Sequence, residues 1–192
     1  MTEKEKMLAG ELYDPADTEL MELWNTGKNL MQQYNCLDYS NRTKQLRILD
    51  ELLGGRGDHT QITAPFFVDY GKFIFLGNNC EINMNCVFLD CNRITIGDNA
   101  LIAPGVHIYT VFHPVRASER FPKNTGEGFP FSVCKTLPVT IGNNVWIGGG
   151  SIIMPGVTIG DNVTIGAGSV VTKSVPSNVL AYGNPCRVVK EI

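Results

Sequence analysis

Three histidines are the side chains best suited to proton transfer near neutral pH in this chain of 192 residues: His59, His107 and His113. His113 ends a regular repetitive stretch and opens a long irregular one, where a groove wall could form. With an ordinary pKa of about 6.5, a histidine can accept the proton of a hydroxyl group. His113 is therefore the candidate general base, against the simpler interpretation of a solvated histidine at a loop edge.

Cysteines are the other reactive side chains, at Cys36, Cys80, Cys86, Cys91, Cys134 and Cys186. They form no CxxC pair and lie among apolar or strand-like residues, which favours reduced thiols packed as small hydrophobic side chains. A Cys–His nucleophile would involve Cys91 or Cys134, but neither has the sequence context of such an enzyme. The pattern GxxxxGK(S/T) is missing from the sequence, which argues against nucleotide hydrolysis.

The charge balance argues against several kinds of partner. Sixteen Lys and Arg against 19 Asp and Glu give a formal charge of −3, too near neutral to favour nucleic acid or an anionic membrane. The sequence contains no run of 18 apolar residues, and MTEKEKMLAGELY lacks the apolar core of a secretory signal. We therefore expect a cytoplasmic protein without nucleic-acid or membrane partners.

A repeat of six residues dominates the second half of the chain. In VTIGNNVWIGGGSIIMPGVTIGDNVTIGAGSVV (139–171) an aliphatic residue recurs at every sixth position, at Ile141, Ile147, Ile153, Ile159, Ile165 and Val171. Neither the helical period of about 3.6 nor the strand period of about two explains this spacing. A parallel β-helix of hexapeptide repeats does, with each aliphatic side chain pointing into the coil and stacking on its equivalents.

The repeat is weaker before residue 114 and changes phase. One phase holds at Leu76, Ile82, Phe88 and Ile94. A phase shifted by two residues follows at Ile96, Ile102 and Ile108. We predict a bulge or corner at Cys91-Asn92 that absorbs the shift. Residues 114–138 break the repeat completely and are predicted to form a long protruding loop, an excursion that is usually functional in a compact fold.

The first 56 residues have helical rather than strand character. A short helix is predicted over Glu3–Ala9, ended by Gly10, and an amphipathic helix follows the N-cap Asp17. Ser40 or Asn41 is predicted to cap a further helix. The expected organisation is a helical segment (1–56), a β-helix (57–182) with the loop excursion, and a C-terminal tail (183–192).

A zinc hydro-lyase built on the same β-helix is the alternative from another enzyme class. It needs three histidine ligands around one metal ion with an open fourth position. His107 and His113 are six residues apart, which puts them on different faces of a three-sided coil, and His59 precedes the repeats. We therefore expect no metal, although a site shared across a subunit boundary stays open at this point.

Several segments together resemble one enzyme family. They are the hexads, KEKMLAGELYDPAD, DYGKFIFLGNNCEINMNCVFLD, IGDNALIAPGVHIYTVFHP, PVTIGNNVWIGGG and GNPCRVVK. In combination they are similar to the hexapeptide-repeat acetyltransferases of the maltose and galactoside O-acetyltransferase type, over nearly the whole chain. The resemblance implies an all-β main domain, a left-handed parallel β-helix with three faces, and an N-terminal α-helical cap.

The resemblance also implies roles on the acceptor side. The match IYTVFHP puts the family's general base at His113, with its second ring nitrogen held by an acceptor such as a backbone carbonyl. Asn83 matches an asparagine that binds the acceptor and helps to orient its hydroxyl. Residue 91 is Cys where the galactoside enzymes have a second Asp, which leaves the acceptor specificity open. Carboxylates expected to contact the acceptor are Asp14 or Asp17, Asp90 and Glu127.

The donor implied by the resemblance is acetyl-CoA. Trp146 is expected to line its groove, and the Gly149 N–H to face the thioester carbonyl. Ala167 and Thr172 match positions that bind the pantetheine arm through main-chain groups. Basic residues expected near the phosphates are Lys173, Arg187 and Lys190.

The sequence as a whole predicts a homotrimeric, acetyl-CoA-dependent O-acetyltransferase. Direct transfer to a sugar of the maltose, glucose or galactoside kind is expected, with the donor in a groove between two subunits. A non-sugar hydroxyl, on an antibiotic or an oligosaccharide precursor, is the alternative acceptor.

Overall fold

The computed structural model describes residues 1–121 and 132–192. Three helices come first: α1 (Glu3–Ala9), α2 (Thr18–Asn35) and α3 (Arg42–Leu52). Gly10 ends α1 in the left-handed conformation, at φ 77°. Asp17 caps α2 by accepting from the N–H groups of Glu19 and Leu20. Asn41 caps α3, so the predicted helices and caps are confirmed.

Short strands follow in a regular order. They are β1 (Gly55–Arg56), β2 (Gln61–Ile62), β3 (Phe66–Val68), β4 (Ile74–Leu76), β5 (Glu81–Ile82), β6 (Cys86–Leu89), β7 (Ile94–Ile96), β8 (Leu101–Ile102), β9 (His107–Tyr109), β10 (Val111–Phe112), β11 (Lys135–Thr136), β12 (Val139–Ile141), β13 (Trp146–Ile147), β14 (Ile152–Ile153), β15 (Thr158–Ile159), β16 (Thr164–Ile165), β17 (Val170–Val171), β18 (Val179–Tyr182) and β19 (Arg187–Glu191).

These strands form three sheets on the sides of a prism. Sheet 1 contains β1, β4, β7, β12 and β15; sheet 2 runs β2, β5, β8, β13, β16, β18, β19; sheet 3 contains β3, β6, β9, β14 and β17. The chain visits the sheets in the order 1, 2, 3 and winds a left-handed parallel β-helix of about six turns. The predicted fold class is confirmed.

The repeated aliphatic residues fill the inside of the prism. Ile141, Ile147, Ile153, Ile159 and Ile165 are each at most 1% exposed. Strand registers stack them, as where Ile141 pairs with Ile96 below and with Ile159 above. Because each coil contacts only its neighbours, this ladder supplies most of the burial that a single coil cannot achieve alone.

Coils differ in length between the two halves of the β-helix. In the first half Phe75 pairs with Thr95, a register of 20 residues. In the second half Thr140 pairs with Thr158, a register of 18. The two additional residues lie between sheet 3 and sheet 1, at the corner that includes Cys91-Asn92. The predicted phase shift is therefore a corner that is two residues longer in the early coils.

Another corner, between sheet 1 and sheet 2, is closed by a column of asparagines. Their side chains donate from one coil to the next, from Asn79 through Asn99, Asn144 and Asn162 to Asn178. Each of these residues has a positive φ, between 54° and 60°. Asparagine tolerates this left-handed conformation better than other residues with a Cβ, which explains why the turns carry Asn.

Between β9 and β12 the chain leaves the β-helix. β10 and β11 pair antiparallel at the base of this excursion, and the Val133 N–H donates to the Arg120 carbonyl further out. At the C-terminus, β19 pairs antiparallel with β18 and extends sheet 2, so much of the predicted tail is a strand. None of the helices in the described ranges is long and apolar enough to cross a membrane.

Candidate active site

A cavity of about 480 Å³ lies where the first helices meet the corner between sheet 3 and sheet 1. This volume lies within the usual range for a small-molecule site. Helix α2 and the segment before it form one wall, and the corner and the base of the excursion form the other. The lining residues are Tyr13, Pro15, Met21, Trp24, Asp69, Tyr70, Cys91, Val111, His113 and Cys134.

His113 follows β10 and is held by the returning side of the excursion. Its Nδ1 lies 3.2 Å from the Val133 carbonyl oxygen, 3.0 Å from the Ser132 hydroxyl and 3.5 Å from the Cys134 Sγ. A carbonyl oxygen can only accept, so the contact to Val133 requires the proton on Nδ1. In that tautomer the other ring nitrogen, Nε2, is free to accept a proton.

Two cysteines and a tyrosine form the floor of the cavity. Tyr13 pairs with Cys134 in an isolated antiparallel bridge and is only 4% exposed. Burial raises the pKa of Tyr13, and burial likewise raises the pKa of the Cys91 and Cys134 thiols. Both thiols are therefore protonated at neutral pH, which makes Cys134 a poor nucleophile despite its contact with His113.

Asp69 is the one carboxylate among the described residues that line the cavity. Its Oδ1 lies 3.1 Å from the Lys28 Nζ, and its Oδ2 accepts from the Cys91 thiol at 3.4 Å. The Lys28 ammonium also donates to the Val68 carbonyl at 2.5 Å. It lies 5.0 Å from the centre of the Trp24 ring. An ion pair thus stands at the edge of an otherwise mostly apolar wall.

Asp90 is not on that wall, which corrects the expectation that it contacts an acceptor. It is fully buried, and its oxygens accept from the backbone N–H groups of Asp69, Tyr70 and Phe73 at 2.9 to 3.2 Å. Burial raises the pKa of Asp90 to about 7, against the opposing effect of these donors. The physical role of Asp90 is to fold the long corner that presents Asp69 and Tyr70.

The other predicted acidic residues stand in different surroundings. Tyr13 and Pro15 line the cavity, while Asp14 between them turns one side-chain oxygen to the Ala16 N–H. Asp17 is engaged as the N-cap of α2. Glu127 lies outside the described residues.

A second depression, the groove, lies on the outer face of sheet 2 and has a volume of about 190 Å³. Trp146 stands on it from β13 and is 53% exposed. Asn83 follows β5 and turns its Oδ1 to the Met84 N–H. The lining residues are Glu81, Asn83, Leu101, Ile102, Ala103, Pro104 and Trp146.

In the late coils, the corner between sheet 2 and sheet 3 consists mainly of glycine. Gly150 and Gly168 occupy equivalent turns with φ of 67° and 69°, and a Cβ added at either would meet nothing within 4 Å. Within the described part of the chain, the N–H groups of Gly149 and Ala167 have no hydrogen-bond acceptor. Such a surface fits an extended, amide-containing molecule such as pantetheine, because it offers free donors and room for close approach.

Basic residues lie at the far end of the same face. Trp146 pairs with Thr164, Thr164 with Leu180, and Leu180 with Lys190. Lys190 is therefore three strands from Trp146, or about 14 Å at the usual strand spacing. Arg187 stands on the same strand, β19, and is exposed. Thr172 and Lys173 follow β17 and so lie on the other side of sheet 3 from Ala167.

Within one chain, His113 and Asn83 do not share a site. His113 lines the cavity at the corner between sheets 3 and 1, whereas Asn83 lines the groove beside the corner between sheets 2 and 3. Sheet 3 separates the two corners. In the described part of the chain, no three His, Cys, Asp or Glu side chains are grouped to hold a metal ion.

Asp69, Tyr13, Trp24 and Tyr70 are cavity residues that the sequence did not single out. Asp69 and Tyr70 stand in the corner that is two residues longer in the early coils, so the phase shift of the hexads marked this region. Tyr13 and Trp24 come from the helical segment, whose packing against the corner has no signature in a local pattern.

Comparisons with known proteins agree with this architecture. A family model described as the maltose acetyltransferase hexapeptide capping motif matches residues 6–57, and one for the bacterial transferase hexapeptide (six repeats) matches residues 138–173. The galactoside O-acetyltransferase of Escherichia coli is 43% identical over 98% of this chain and 88% of its own length.

Two solved structures are similar along the full chain. A maltose O-acetyltransferase from Clostridium difficile 630 has a TM-score of 0.92 at 45% identity, covering 100% of this chain and 98% of its own. A galactoside acetyltransferase in complex with coenzyme A has a TM-score of 0.92 at 41% identity, covering 100% and 92%. The chain therefore belongs to the hexapeptide-repeat acetyltransferases of the maltose and galactoside O-acetyltransferase family.

Proposed function

We propose that this acetyltransferase moves the acetyl group of acetyl-CoA directly to a hydroxyl group of a sugar, with His113 as the general base. The observation that carries the proposal is the contact of the His113 Nδ1 with the Val133 carbonyl at 3.2 Å. It fixes the tautomer in which Nε2 accepts the hydroxyl proton as the oxygen attacks the thioester carbon. The same proton then leaves with the coenzyme A thiolate.

The cavity walls support a sugar as the acceptor. Trp24, which is 38% exposed, offers an aromatic ring for the C–H face of a pyranose, and Asp69 offers carboxylate oxygens for its hydroxyls. Direct transfer is supported by the raised pKa of the Cys134 thiol. A covalent acyl-cysteine intermediate would need a thiolate at this position.

The outer face of sheet 2 supports acetyl-CoA as the donor. The free N–H groups of Gly149 and Ala167 suit the thioester and the pantetheine amides, and Trp146 provides an apolar wall. Arg187 and Lys190 suit the phosphates at the far end. Thr172 and Lys173 could contribute only from the other side of sheet 3.

We propose a homotrimer, and the separation of the two half-sites within one chain supports a site shared between subunits. If the cavity corner of one subunit meets the groove corner of the next, His113 from one chain faces Asn83 from the other. Closed cyclic symmetry would then repeat the same site at every subunit boundary.

Six free thiols agree with a reducing compartment, and we place the enzyme in the cytoplasm.

The test of the function is thiol release from acetyl-CoA with a panel of maltose, glucose, galactosides and aryl glycosides. The expected result is sugar-dependent release together with an acetyl ester on the sugar, identified by NMR. Release without a sugar ester, or ester formation only on non-sugar hydroxyls, would contradict the proposed acceptor class.

A further inference from the structure

Asp69 is the strongest acceptor-recognition group that the cavity offers. Its side chain is 20% exposed, and that of its partner Lys28 is 27% exposed. The neighbouring carboxylate, Asp90, is turned inward and occupied by backbone donors. Among the described lining residues, the remaining walls are aromatic, aliphatic, thiol or imidazole.

Both oxygens of Asp69 are held by side chains of the fold. Lys28 holds Oδ1 and the Cys91 thiol holds Oδ2. An ionised carboxylate has about four acceptor positions, so two remain for a ligand. Two neighbouring hydroxyl groups can each donate to one of these positions.

Lys28 makes this carboxylate compatible with an apolar cavity. A lone charge beside Trp24, Met21 and Tyr70 would be costly because the side chain that carries it is only 20% exposed. The ammonium of Lys28 balances that charge, and the Val68 carbonyl and the Trp24 ring fix the ammonium in turn. The orientation of Asp69 therefore depends on a residue outside the cavity lining.

We propose that Asp69 binds two adjacent hydroxyl groups of the acceptor and that Lys28 is the residue that positions Asp69. This inference rests on the proposed function and names the substrate class more closely. The acceptor is a polyol with vicinal hydroxyls on one side and a C–H or apolar face that packs on Trp24. Asp69 sets which hydroxyl reaches His113.

The test compares Asp69→Asn and Lys28→Met with the wild-type enzyme. Both variants are expected to raise the KM for the sugar about tenfold or more, because a charge-assisted hydrogen bond is lost or misaligned. The KM for acetyl-CoA is expected to stay unchanged. In the double variant the sugar KM is expected to match that of Asp69→Asn alone, because Lys28 acts only through Asp69.

Two controls separate recognition from folding. Lys4→Met removes a lysine from another ion pair of the helical segment, that with Glu19, and is expected to leave both KM values unchanged. Asp69→Glu keeps the charge and is expected to bind sugar better than Asp69→Asn. Thermal unfolding of every variant is measured alongside.

Sugar affinity is also measured by calorimetry with free coenzyme A present, which needs no turnover. Weakened sugar binding in Asp69→Asn with unchanged coenzyme A binding supports the proposal. An unchanged sugar affinity in Asp69→Asn overturns it and leaves the transfer function intact. A wild-type enzyme that neither binds nor acetylates any sugar of the panel overturns the proposed function and this role with it.

Discussion

The early and late coils of the β-helix use the same hexads for different purposes. Paired residues in neighbouring coils are 20 positions apart in the early coils and 18 positions apart in the late coils. The longer corners of the early coils contain Asp69, Tyr70 and Cys91, which line the cavity. The late coils are regular and end in glycine turns that leave a smooth outer surface. Under the proposed function, the longer corners of the early coils form the acceptor side, and the glycine turns of the late coils suit the extended donor.

The excursion extends this contrast. It leaves the β-helix at the same corner that is longer in the early coils, and it brings His113 and Cys134 to the cavity. A repeat tolerates such an insertion because the coils above and below still stack, as Val139 pairs with Ile94 across it.

The largest effect is expected for His113→Ala at the irregular corner. If His113 is the general base, its removal should lower kcat by about 10² to 10⁴-fold. The KM for acetyl-CoA should change little, because the groove that we assign to the donor lies on the outer face of sheet 2, whereas His113 lines the cavity on the other side of sheet 3. Steady-state kinetics with each substrate varied in turn measures this, and a kcat within twofold of the wild type would exclude His113 as the base.

Trp146→Ala should affect the other region. Because 53% of Trp146 is exposed, its loss should change the free energy of unfolding little. The KM for acetyl-CoA should rise about tenfold, which is the usual effect of losing an aromatic contact with a ligand. The sugar KM should not change. Thr140→Ala, an exposed position on sheet 1, serves as the control. A rise in the sugar KM alone would contradict the assignment of this face to the donor.

Asn144→Ala should destabilise the regular coils without touching either substrate. It removes two side-chain hydrogen bonds of the asparagine column and leaves alanine at a φ of 56°. We expect a loss of about 1–3 kcal/mol in the free energy of unfolding. Asn144→Gly keeps the backbone geometry and should lose less. Urea unfolding measures both, and equal losses would mean that the hydrogen bonds alone matter.

The smallest effect is expected for Cys134→Ala. Burial keeps the thiol protonated, so transfer without an acyl-cysteine predicts a kcat within about threefold of the wild type. Cys36 is the exposed cysteine and should react with iodoacetamide long before the five buried ones. A Cys134→Ala enzyme without activity, or a burst of acetyl-cysteine on Cys134, would reverse the direct-transfer mechanism.

Local sequence patterns were sufficient to predict much of the structure of this molecule. The six-residue period predicts the core ladder, and Asp17 and Gly10 predict helix ends through their own hydrogen bonds and backbone angles. Asp90 and Asp69 show where such patterns stop. Both are acidic residues in similar strand ends, and which one faces the cavity depends on how the longer corner folds around backbone donors. Which carboxylate faces the cavity is therefore decided by tertiary packing. The same holds for the contribution of Trp24 to the cavity.

We propose that the cavity of one subunit and the groove of another form one site. Two inactive variants test it: His113→Ala leaves the groove intact, and Asn83→Ala leaves the cavity intact. When equal amounts of the two variants are unfolded together and refolded, they should form mixed oligomers. Some subunit boundaries in these oligomers should then contain both the wild-type His113 and the wild-type Asn83. Random assembly predicts about a quarter of the wild-type sites.

Activity of the refolded mixture, compared with each variant refolded alone, is the direct measurement. Recovery to about a quarter of the wild-type rate is the predicted result. A mixture no more active than the average of its two parents, under conditions where mixed oligomers are present, would show that each chain builds its site alone.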